Sequence, residues 1–494
     1  MNRARGELRD ESKVERATAV IEPRVFIENR TFDEIQVGES ATLARTLTGE
    51  DIELFAVMSG DVNPAHVDEE YARSDTFHKI IAHGMWGASL ISTLLGTKLP
   101  GPGTIYLEQT LHFRRPVTIG DTITVSVTVA AKDPERHRIS FDCSCVNQHG
   151  EAVIDGIAKV LAPTDKVHRP RVTLPEVHMY EHGRLFRELL ARTKGLEPIR
   201  MAVVHPVDCD ALLGAIQAAQ EGLIIPVLVG PEERIRSVAA AHDLDIAGLS
   251  VIATEHSHEA AEKAVELARS GQVDALMKGS LHTEELIQAA AARTGLAADR
   301  RMSHVFVIDV PTYPRPLFIT DAALNVEPDL AAKRDIVQNA IDLATVVGVQ
   351  MPKVAILSAV ETVNPKLRSS LEAAALAKMA ERGQIRGGVV DGPLAFDDAV
   401  SPAASRVKGI ASQVAGQADI VVVPDLESGN MLVKQLDSLG DSQPVGIVLG
   451  ARVPIALASR ADSALERVAS CALAVLVART AKPKTPSLCA RAIP

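Results

Sequence analysis

The sequence has few cysteines, no long apolar run and no excess of positive charge. Its five cysteines include no Cys-x-x-Cys pair, which favours a reducing cytosol over a disulfide-stapled secreted fold. The longest apolar stretches, such as residues 471–478, fall far short of the roughly 20 residues that span a membrane. A net charge of −11 argues against a general binder of nucleic acid or anionic membrane, although a local group of cations could still hold an anionic small molecule.

Several well-known catalytic motifs are also missing from the second part of the chain. It contains no P-loop, no G-x-G-x-x-G after a strand, no H-E-x-x-H and no G-x-S-x-G elbow. Cys143 and Cys145 lie two residues apart in a strand-like run, which favours a shared place in the core over metal ligation. We therefore predict no metal site.

The first third of the chain has a strand-like hydrophobic period. Its length of 494 residues predicts two or three domains. Residues 84–95 are apolar nearly all round and predict a buried helix. Apolar residues alternate with polar ones in four segments, 105–113, 122–129, 139–145 and 152–161. This pattern is typical of an antiparallel sheet with one solvent-exposed face. One buried helix wrapped by such a sheet predicts an α+β hot-dog domain over 23–163, after a flexible tail at 1–22.

The remainder of the chain alternates between strands and helices. A proline-rich, charged segment at 164–184 is predicted to be a linker. Short Val/Ile/Leu runs then alternate with amphipathic helices, which predicts an α/β domain with a mainly parallel sheet over 185–479 and a tail at 480–494. Because this is a large domain, we expect two lobes. The predicted strands are 201–205, 225–229, 250–254, 274–278, 304–310, 316–320, 353–359, 387–391, 420–424 and 445–449.

The segment Ser59-Gly-Asp-Val-Asn-Pro-Ala-His66 places an acid and a histidine five residues apart in a loop-forming context. A tight loop would bring Asp61 and His66 together around one water, an arrangement that suits general acid–base chemistry. Asp61 could equally cap a turn, since aspartate is common there. The spacing alone leaves both interpretations open.

This segment, together with Ala82-His-Gly-Met-Trp-Gly-Ala-Ser-Leu90, resembles the MaoC-type (R)-specific enoyl-CoA hydratases. The resemblance covers about residues 25–162 and implies that Asp61 and His66 activate a water for addition to a trans-2-enoyl-CoA. Asn63 would fix the loop or the acid, and the backbone N–H of Gly84 would bond the thioester oxygen. His83 is expected to have a structural role.

Polar residues follow several predicted strands of the second domain, where ligands bind in parallel sheets. Each such group alone is more often a turn or a helix cap. The groups are Lys278-Gly-Ser-Leu-His282, Thr320-Asp321, Glu361-Thr-Val-Asn364, Asp391-Gly-Pro393, Glu427-Ser-Gly-Asn430 and Ser459-Arg460.

The same stretches resemble the phosphate acetyl/butyryltransferase family. The matching segments include MKGSLHT (277–283), PLFITDAALN (316–325), GQADIVVVPDLESGNMLVKQL (416–436) and VLGARVPIALASRADS (448–463). The family transfers an acyl group between coenzyme A and phosphate, without a metal or a tightly bound cofactor, so acyl-CoA and phosphate are the implied substrates.

Within that resemblance, Ser459 and Arg460 match the family's serine–arginine pair. Arg460 would hold the acyl-phosphate group and Ser459 would bond the carbonyl or the thiol. Either Asp462 or Glu466 would assist deprotonation of the thiol. Weaker substrate-binding candidates are Lys278, Asn364, Asn430 and Lys434. Ala461 stands where acetyl-specific members have glycine, which leaves the acyl length open.

The sequence thus predicts a bifunctional coenzyme A thioester enzyme, cytoplasmic and homo-oligomeric, that binds neither nucleic acid nor membrane. Two alternatives concern the second domain. It could be a non-catalytic acyl-CoA-sensing or oligomerisation module appended to an active hydratase. It could also be a decarboxylating dehydrogenase, but that enzyme would need metal-binding carboxylates and a nucleotide site, and no convincing set stands out.

Overall fold

The computed structural model describes residues 26–172, 174, 177, 179, 183–458 and 463–481. The chain divides into two compact units, residues 1–179 and 180–494. The predicted tail at 1–22, most of that at 480–494, and the candidate residues Ser459, Arg460 and Asp462 lie outside the described residues. The domain boundaries given above stay predictions.

The first unit contains one long helix and a five-stranded antiparallel sheet in the order β2-β4-β5-β6-β3. In chain order its elements are β1 Phe26–Glu28, β2 Ser40–Thr46, α1 Gly49–Ser59, α2 Pro64–Val67, α3 Glu69–Ser74, α4 Gly84–Thr97, β3 Ile105–Phe113, β4 Thr122–Asp133, β5 Arg138–Val146, β6 Ala152–Leu161 and β7 His168–Pro170.

The sheet and α4 pack together because of their hydrophobic patterns. Strand β4 buries every second side chain from Ile123 to Val129, and α4 buries one face, which includes Leu90, Ile91 and Leu94. The opposite face of α4, with Met85, Ser89 and Thr93, is exposed, so the helix is not buried all round as the sequence predicted. Gly87 permits the close approach, since a Cβ there would lie 2.6 Å from Cδ1 of Ile154. The predicted hot-dog arrangement is therefore confirmed, and Cys143 and Cys145 lie in its core.

Two features of the first unit differ from the sequence prediction. Strand β2 was not predicted, because only two of its apolar side chains, Ala41 and Leu43, pack against the core and neither is fully buried. Strand β7 lies within the predicted linker and pairs with β1 in a separate two-stranded sheet, held in part by the side chain of Asn29, which bonds the backbone of Asp165 and Val167.

The second unit is an α/β structure built on one sheet. In chain order its elements are α5 Arg184–Thr193, β8 Ile199–Val204, α6 Cys209–Gln220, β9 Ile224–Gly230, α7 Glu232–Ala241, β10 Ser250–Ala253, α8 Ser257–Arg269, β11 Ala275–Lys278, α9 Thr283–Ala291, β12 Ser303–Asp309, β13 Leu317–Thr320, α10 Leu330–Val346, β14 Lys353–Leu357, α11 Arg368–Glu381, β15 Val389–Leu394, α12 Phe396–Val400, α13 Pro402–Val407, β16 Ile420–Val422, α14 Leu426–Leu439, β17 Gln443–Leu449, β18 Ile455–Ala456 and α15 Ala464–Ala481.

The mainly parallel sheet is confirmed, and each of the ten predicted strands has a counterpart among these elements. Its eleven strands lie in the order β10-β9-β8-β11-β18-β17-β12-β13-β16-β14-β15. The first five strands form one parallel block and the last four form another. The two lobes expected from the sequence thus share one continuous sheet.

The two parallel blocks run in opposite directions. Strand β17 is antiparallel to both β18 and β12, and β12 is antiparallel to β13. Three reversals therefore separate the blocks, and their carboxyl ends lie at opposite edges of the sheet. We call the edge that contains the ends of β8, β11 and β18 the first edge, and the edge that contains the ends of β13, β14 and β16 the second edge.

Among the described residues, no helix combines the length and the apolar character needed to cross a lipid bilayer.

His304 is a buried histidine in the centre of this sheet. Neither of its ring nitrogens has a hydrogen-bond partner among the described residues, and burial lowers the pKa of His304 to about 4. The folded chain therefore favours the neutral ring, whereas the unfolded chain takes up a proton at the ordinary pKa of about 6.5. Because of His304, the free energy of unfolding should therefore fall as the pH is lowered from about 6.5 towards 4.

We expect His304→Leu to make the pH dependence of unfolding shallower. Between neutral pH and about pH 5, His304 should lower the free energy of unfolding of the wild-type chain by about 2 kcal/mol. The variant should not show this decrease. Thermal unfolding at both pH values measures the difference, which is insensitive to any constant packing defect. His242→Leu, at an exposed position, should retain the wild-type slope; equal slopes in wild type and His304→Leu would contradict the assignment.

Candidate active sites

The loop after α1 presents Asp61 at the surface of the first unit. The backbone N–H of Asp61 donates to Oγ of Ser59, and that of Asn63 donates to Oδ1 of Asp61, at 3.2 Å in each case. Oδ1 of Asn63 in turn accepts from the backbone N–H of Ala65 and caps α2. The turn residues thus hold the carboxylate of Asp61 in place while leaving it exposed.

His66 lies on the short helix α2 with its ring half-buried. Its Nδ1 lies 2.8 Å from the backbone carbonyl oxygen of Ile81. Because a carbonyl oxygen only accepts, Nδ1 must carry the hydrogen. In the neutral ring Nε2 therefore has a lone pair available to take a proton.

His83 joins this loop to the start of α4. Its Nε2 lies 2.9 Å from the backbone carbonyl oxygen of Asp61, and its ring centroid lies 4.0 Å from that of His66 and 4.9 Å from that of Phe55. His83 is only 3% exposed. The sequence analysis expected a structural role, and the structure places His83 in contact with both members of the candidate pair.

Gly84 is the first residue of α4 and lies beside this group. The N–H groups of a first helical turn lack partners within the helix, and the helix dipole makes them favourable to negative charge. A Cβ at position 84 would lie 3.0 Å from the ring of Phe113, so glycine keeps the N-terminus of α4 open. The four residues place an acid, a base and an anion-stabilising N–H in one region of the unit.

In the second unit, Lys278 lies at the first edge of the sheet. Its Nζ lies 3.4 Å from the backbone carbonyl oxygen of Ala458, the residue immediately before Ser459, and its side chain is 2% exposed. In the strand order β10-β9-β8-β11, successive strands are added on one side of β8 up to β10, and β11 then lies on the other side of β8. The strand order therefore reverses between β8 and β11. Ligands bind outside the carboxyl ends of parallel strands at such a reversal.

Glu466 has a helix-capping role. Its Oε2 accepts from the backbone N–H of Ser463 at 2.6 Å and from Oγ of Ser463 at 2.9 Å, at the start of α15. These contacts hold one carboxylate oxygen of Glu466 at the start of α15.

Asn364, Asn430 and Lys434 do not join Lys278. Asn364 forms a turn after β14 by accepting from the backbone N–H of Lys366. Asn430 lies in the first turn of α14 and donates to the carbonyl oxygen of Ala322. Both lie at the second edge of the sheet. Lys434 is paired with Asp437 on the same helix.

Comparison with known families bears on both units. Residues 253–475 match the family model described as phosphate acetyl/butaryl transferase, and residues 34–145 match the model of the MaoC-like domain. A phosphate acetyltransferase of Rhizobium meliloti is 58% identical over 294 residues, which are 59% of this chain and 93% of that protein. The chain belongs to the phosphate acetyl/butyryltransferase family.

Two solved structures are also similar to this family member. A branched-chain phosphotransacylase from Enterococcus faecalis is 29% identical, with a TM-score of 0.50, and covers 57% of this chain and 99% of its own. The R-hydratase PhaJ1 from Pseudomonas aeruginosa is 40% identical, with a TM-score of 0.31, and covers 32% of this chain and 100% of its own. The first of these likenesses agrees with the phosphotransacylase fold of the second unit.

Sequence reasoning named Asp61, His66 and Gly84 as site residues, but it did not predict the contact of His83 with the loop that carries Asp61. The bond from His83 spans 22 residues, and no local pattern encodes it. The only available signal was the position of a histidine directly before the helix glycine.

Proposed function

We propose that the chain is a bifunctional coenzyme A thioester enzyme. The first unit hydrates trans-2-enoyl-CoA to (R)-3-hydroxyacyl-CoA, and the second exchanges an acyl group between coenzyme A and phosphate. The observation that carries the first activity is the grouping of Asp61, His66 and Gly84 at the start of α4. The observation that carries the second is membership of the acyltransferase family over most of the second unit.

In the proposed hydration, Asp61 and His66 hold one water between them. One of the pair takes a proton from that water as its oxygen bonds to the β-carbon, and negative charge collects on the thioester oxygen as the enolate forms. The N–H of Gly84 and the positive end of α4 stabilise that charge, and donors of this kind are worth roughly 10²–10³ in rate. A proton is then delivered to the α-carbon on the same face, which restores the neutral thioester.

In the proposed acyl transfer, the thiolate of coenzyme A attacks the carbonyl carbon of an acyl phosphate and inorganic phosphate leaves. Arg460 has the planar fork that holds a phosphate by two bonds, and Ser459 hydrogen-bonds the carbonyl or the thiol. Lys278 contacts the backbone carbonyl oxygen of Ala458, the residue before Ser459 in the sequence. The name of the relative from Rhizobium meliloti favours acetyl as the acyl group.

Replacement of either member of the pair should abolish hydration. We expect Asp61→Asn and His66→Gln each to lower kcat for crotonyl-CoA by at least about 10²-fold, because general acid–base catalysis contributes that much or more. Loss of enoyl-thioester absorbance gives the rate, and chiral analysis of the product tests the (R) configuration.

Asp68→Asn is the matched control, because Asp68 is a nearby acid that only caps α3 and asparagine caps a helix equally well. It should retain the wild-type rate. Near-wild-type activity in a correctly folded Asp61→Asn or His66→Gln protein would refute the hydratase assignment.

Removal of the guanidinium at position 460 should stop acyl transfer. We expect Arg460→Ala to lower synthesis of acetyl-CoA from acetyl phosphate by about 10²-fold or more, and Arg460→Lys to recover only part, since lysine cannot make a bidentate contact. Arg382→Ala, at an exposed position on the same unit, serves as control. Butyryl phosphate should react more slowly than acetyl phosphate.

The alternative sensing role makes a different prediction for the same assay. If wild-type protein turns over neither acyl phosphate, while acetyl-CoA alters the rate of crotonyl-CoA hydration, the second unit is a sensor and the transferase proposal fails.

We also propose that the chain forms a homo-oligomer through β3. This strand pairs with β6 on one side, and no described residue pairs with its other side. Ile105, Leu107 and Phe113 on the strand are 47–55% exposed. Unpaired apolar edges favour pairing with another chain, and Phe113 lies against Gly84, so a second chain would also shield the exposed candidate site.

Leu107→Glu should therefore prevent this pairing. The molar mass measured by light scattering should fall to that of a smaller assembly than the wild-type oligomer. Val37→Glu, at an apolar position that is 63% exposed outside the strands, should leave the mass unchanged. A monomeric wild type, or an unchanged mass for Leu107→Glu, would contradict pairing through β3.

A further inference from the structure

The side chains of Asp61, His66 and His83 form a cluster of metal-ligating groups. One ligand atom from each residue lies within 4.8 Å of the other two. No other set of three or more such groups was found among the described residues. The backbone N–H of Asn63 donates to Oδ1 of Asp61, and the carboxylate remains exposed to an ion from solvent.

The hydrogen bonds of the two rings prepare them for a cation. His66 donates Nδ1–H to the carbonyl oxygen of Ile81, and His83 donates Nε2–H to that of Asp61. Metal-ligating histidines characteristically donate their other N–H to a backbone carbonyl or carboxylate, which fixes the ring and raises its basicity. Nε2 of His66 and Nδ1 of His83 are therefore the ring nitrogens that keep a lone pair for a cation.

Nδ1 of His83 is the ring nitrogen that keeps a lone pair. It is buried and has no hydrogen-bond partner among the described residues, in a side chain that is 3% exposed. Burial of a polar atom without a partner is destabilising, and nothing in the proposed hydration uses this nitrogen.

We propose that Asp61, His66 and His83 bind one divalent transition-metal ion of the zinc class, with water at the open position. Two imidazole nitrogens and one carboxylate oxygen suit Zn²⁺ or Co²⁺ rather than Mg²⁺ or Ca²⁺, which take oxygen ligands. The bound ion occupies the lone pair of His66 and the carboxylate of Asp61. Metal binding does not depend on the proposed function. Its consequence, reversible inhibition of hydration, rests on that function.

Titration of chelator-treated full-length protein with Co²⁺, followed by visible absorption, tests the binding step without any substrate. We expect one Co²⁺ per chain, with the spectrum lost when Zn²⁺ is added. His83→Gln and His66→Gln should each weaken binding by about 10- to 100-fold or more, given that even outer contacts are worth that much. Glutamine at 83 can still donate to the carbonyl of Asp61, so the loss reports the ligand atom rather than the loop.

The matched control is His258→Gln. His256 and His258 form an exposed pair whose ring centroids lie 6.3 Å apart, so this variant measures adventitious binding to surface histidines. It should bind Co²⁺ like wild type. Loss of the spectrum in His258→Gln, retention of it in His83→Gln, or the absence of one-to-one binding would overturn the site.

Hydration of crotonyl-CoA provides the second measurement. Zn²⁺ should stop it and EDTA should restore it, and this reaction releases no free thiol to compete for the metal. Zn²⁺ binding without any effect on a working hydratase would overturn the placement of the ion on Asp61 and His66. A chain that binds Co²⁺ as expected but never hydrates crotonyl-CoA would instead refute the hydratase assignment and leave the metal site supported.

Discussion

The hydrogen bond from Nε2 of His83 to the backbone carbonyl oxygen of Asp61 is the contact on which the first site depends. It ties an exposed loop to the residue directly before a buried helix. One such bond contributes only about 1 kcal/mol to stability. Its geometric effect is larger, because it brings an acid, a second histidine and the N-terminus of α4 within reach of one small ligand.

The packing of α4 also stabilises that arrangement. Helix α4 packs one face, which includes Leu90, Ile91 and Leu94, into the core of the unit, and this packing holds the helix in place. The loop residues before it hold each other through short backbone contacts. Functional groups on a rigid support keep their geometry more precisely than groups on a free loop.

The sequence predicted the elements of both units well, because local patterns encode them. Alternation of buried side chains marks β4 directly. The sequence prediction missed β2, where only Ala41 and Leu43 pack against the core, and β18, which has only two residues. The signature around Asp61 and His66 supplied the candidate pair. The contact of His83 was not predictable, since it depends on a chain reversal over 22 residues.

Strand direction was the other property that the sequence could not supply. The polar groups that contain Lys278 and Asn364 cannot be distinguished by their sequence context, because each comes after an apolar strand. The three antiparallel pairings at the centre of the sheet place them at opposite edges. Only the first edge adjoins the segment that leads to Ser459.

The continuous sheet has a consequence for cooperativity. One hydrophobic cluster contains Met201 and Val203 of the first block together with Val354 and Ile420 of the second, so the sheet cannot open between the blocks without breaking strand pairs and dividing a core. The two blocks must unfold as a single cooperative unit. A ligand held at the first edge therefore protects the second edge from exchange and proteolysis, although it does not touch it.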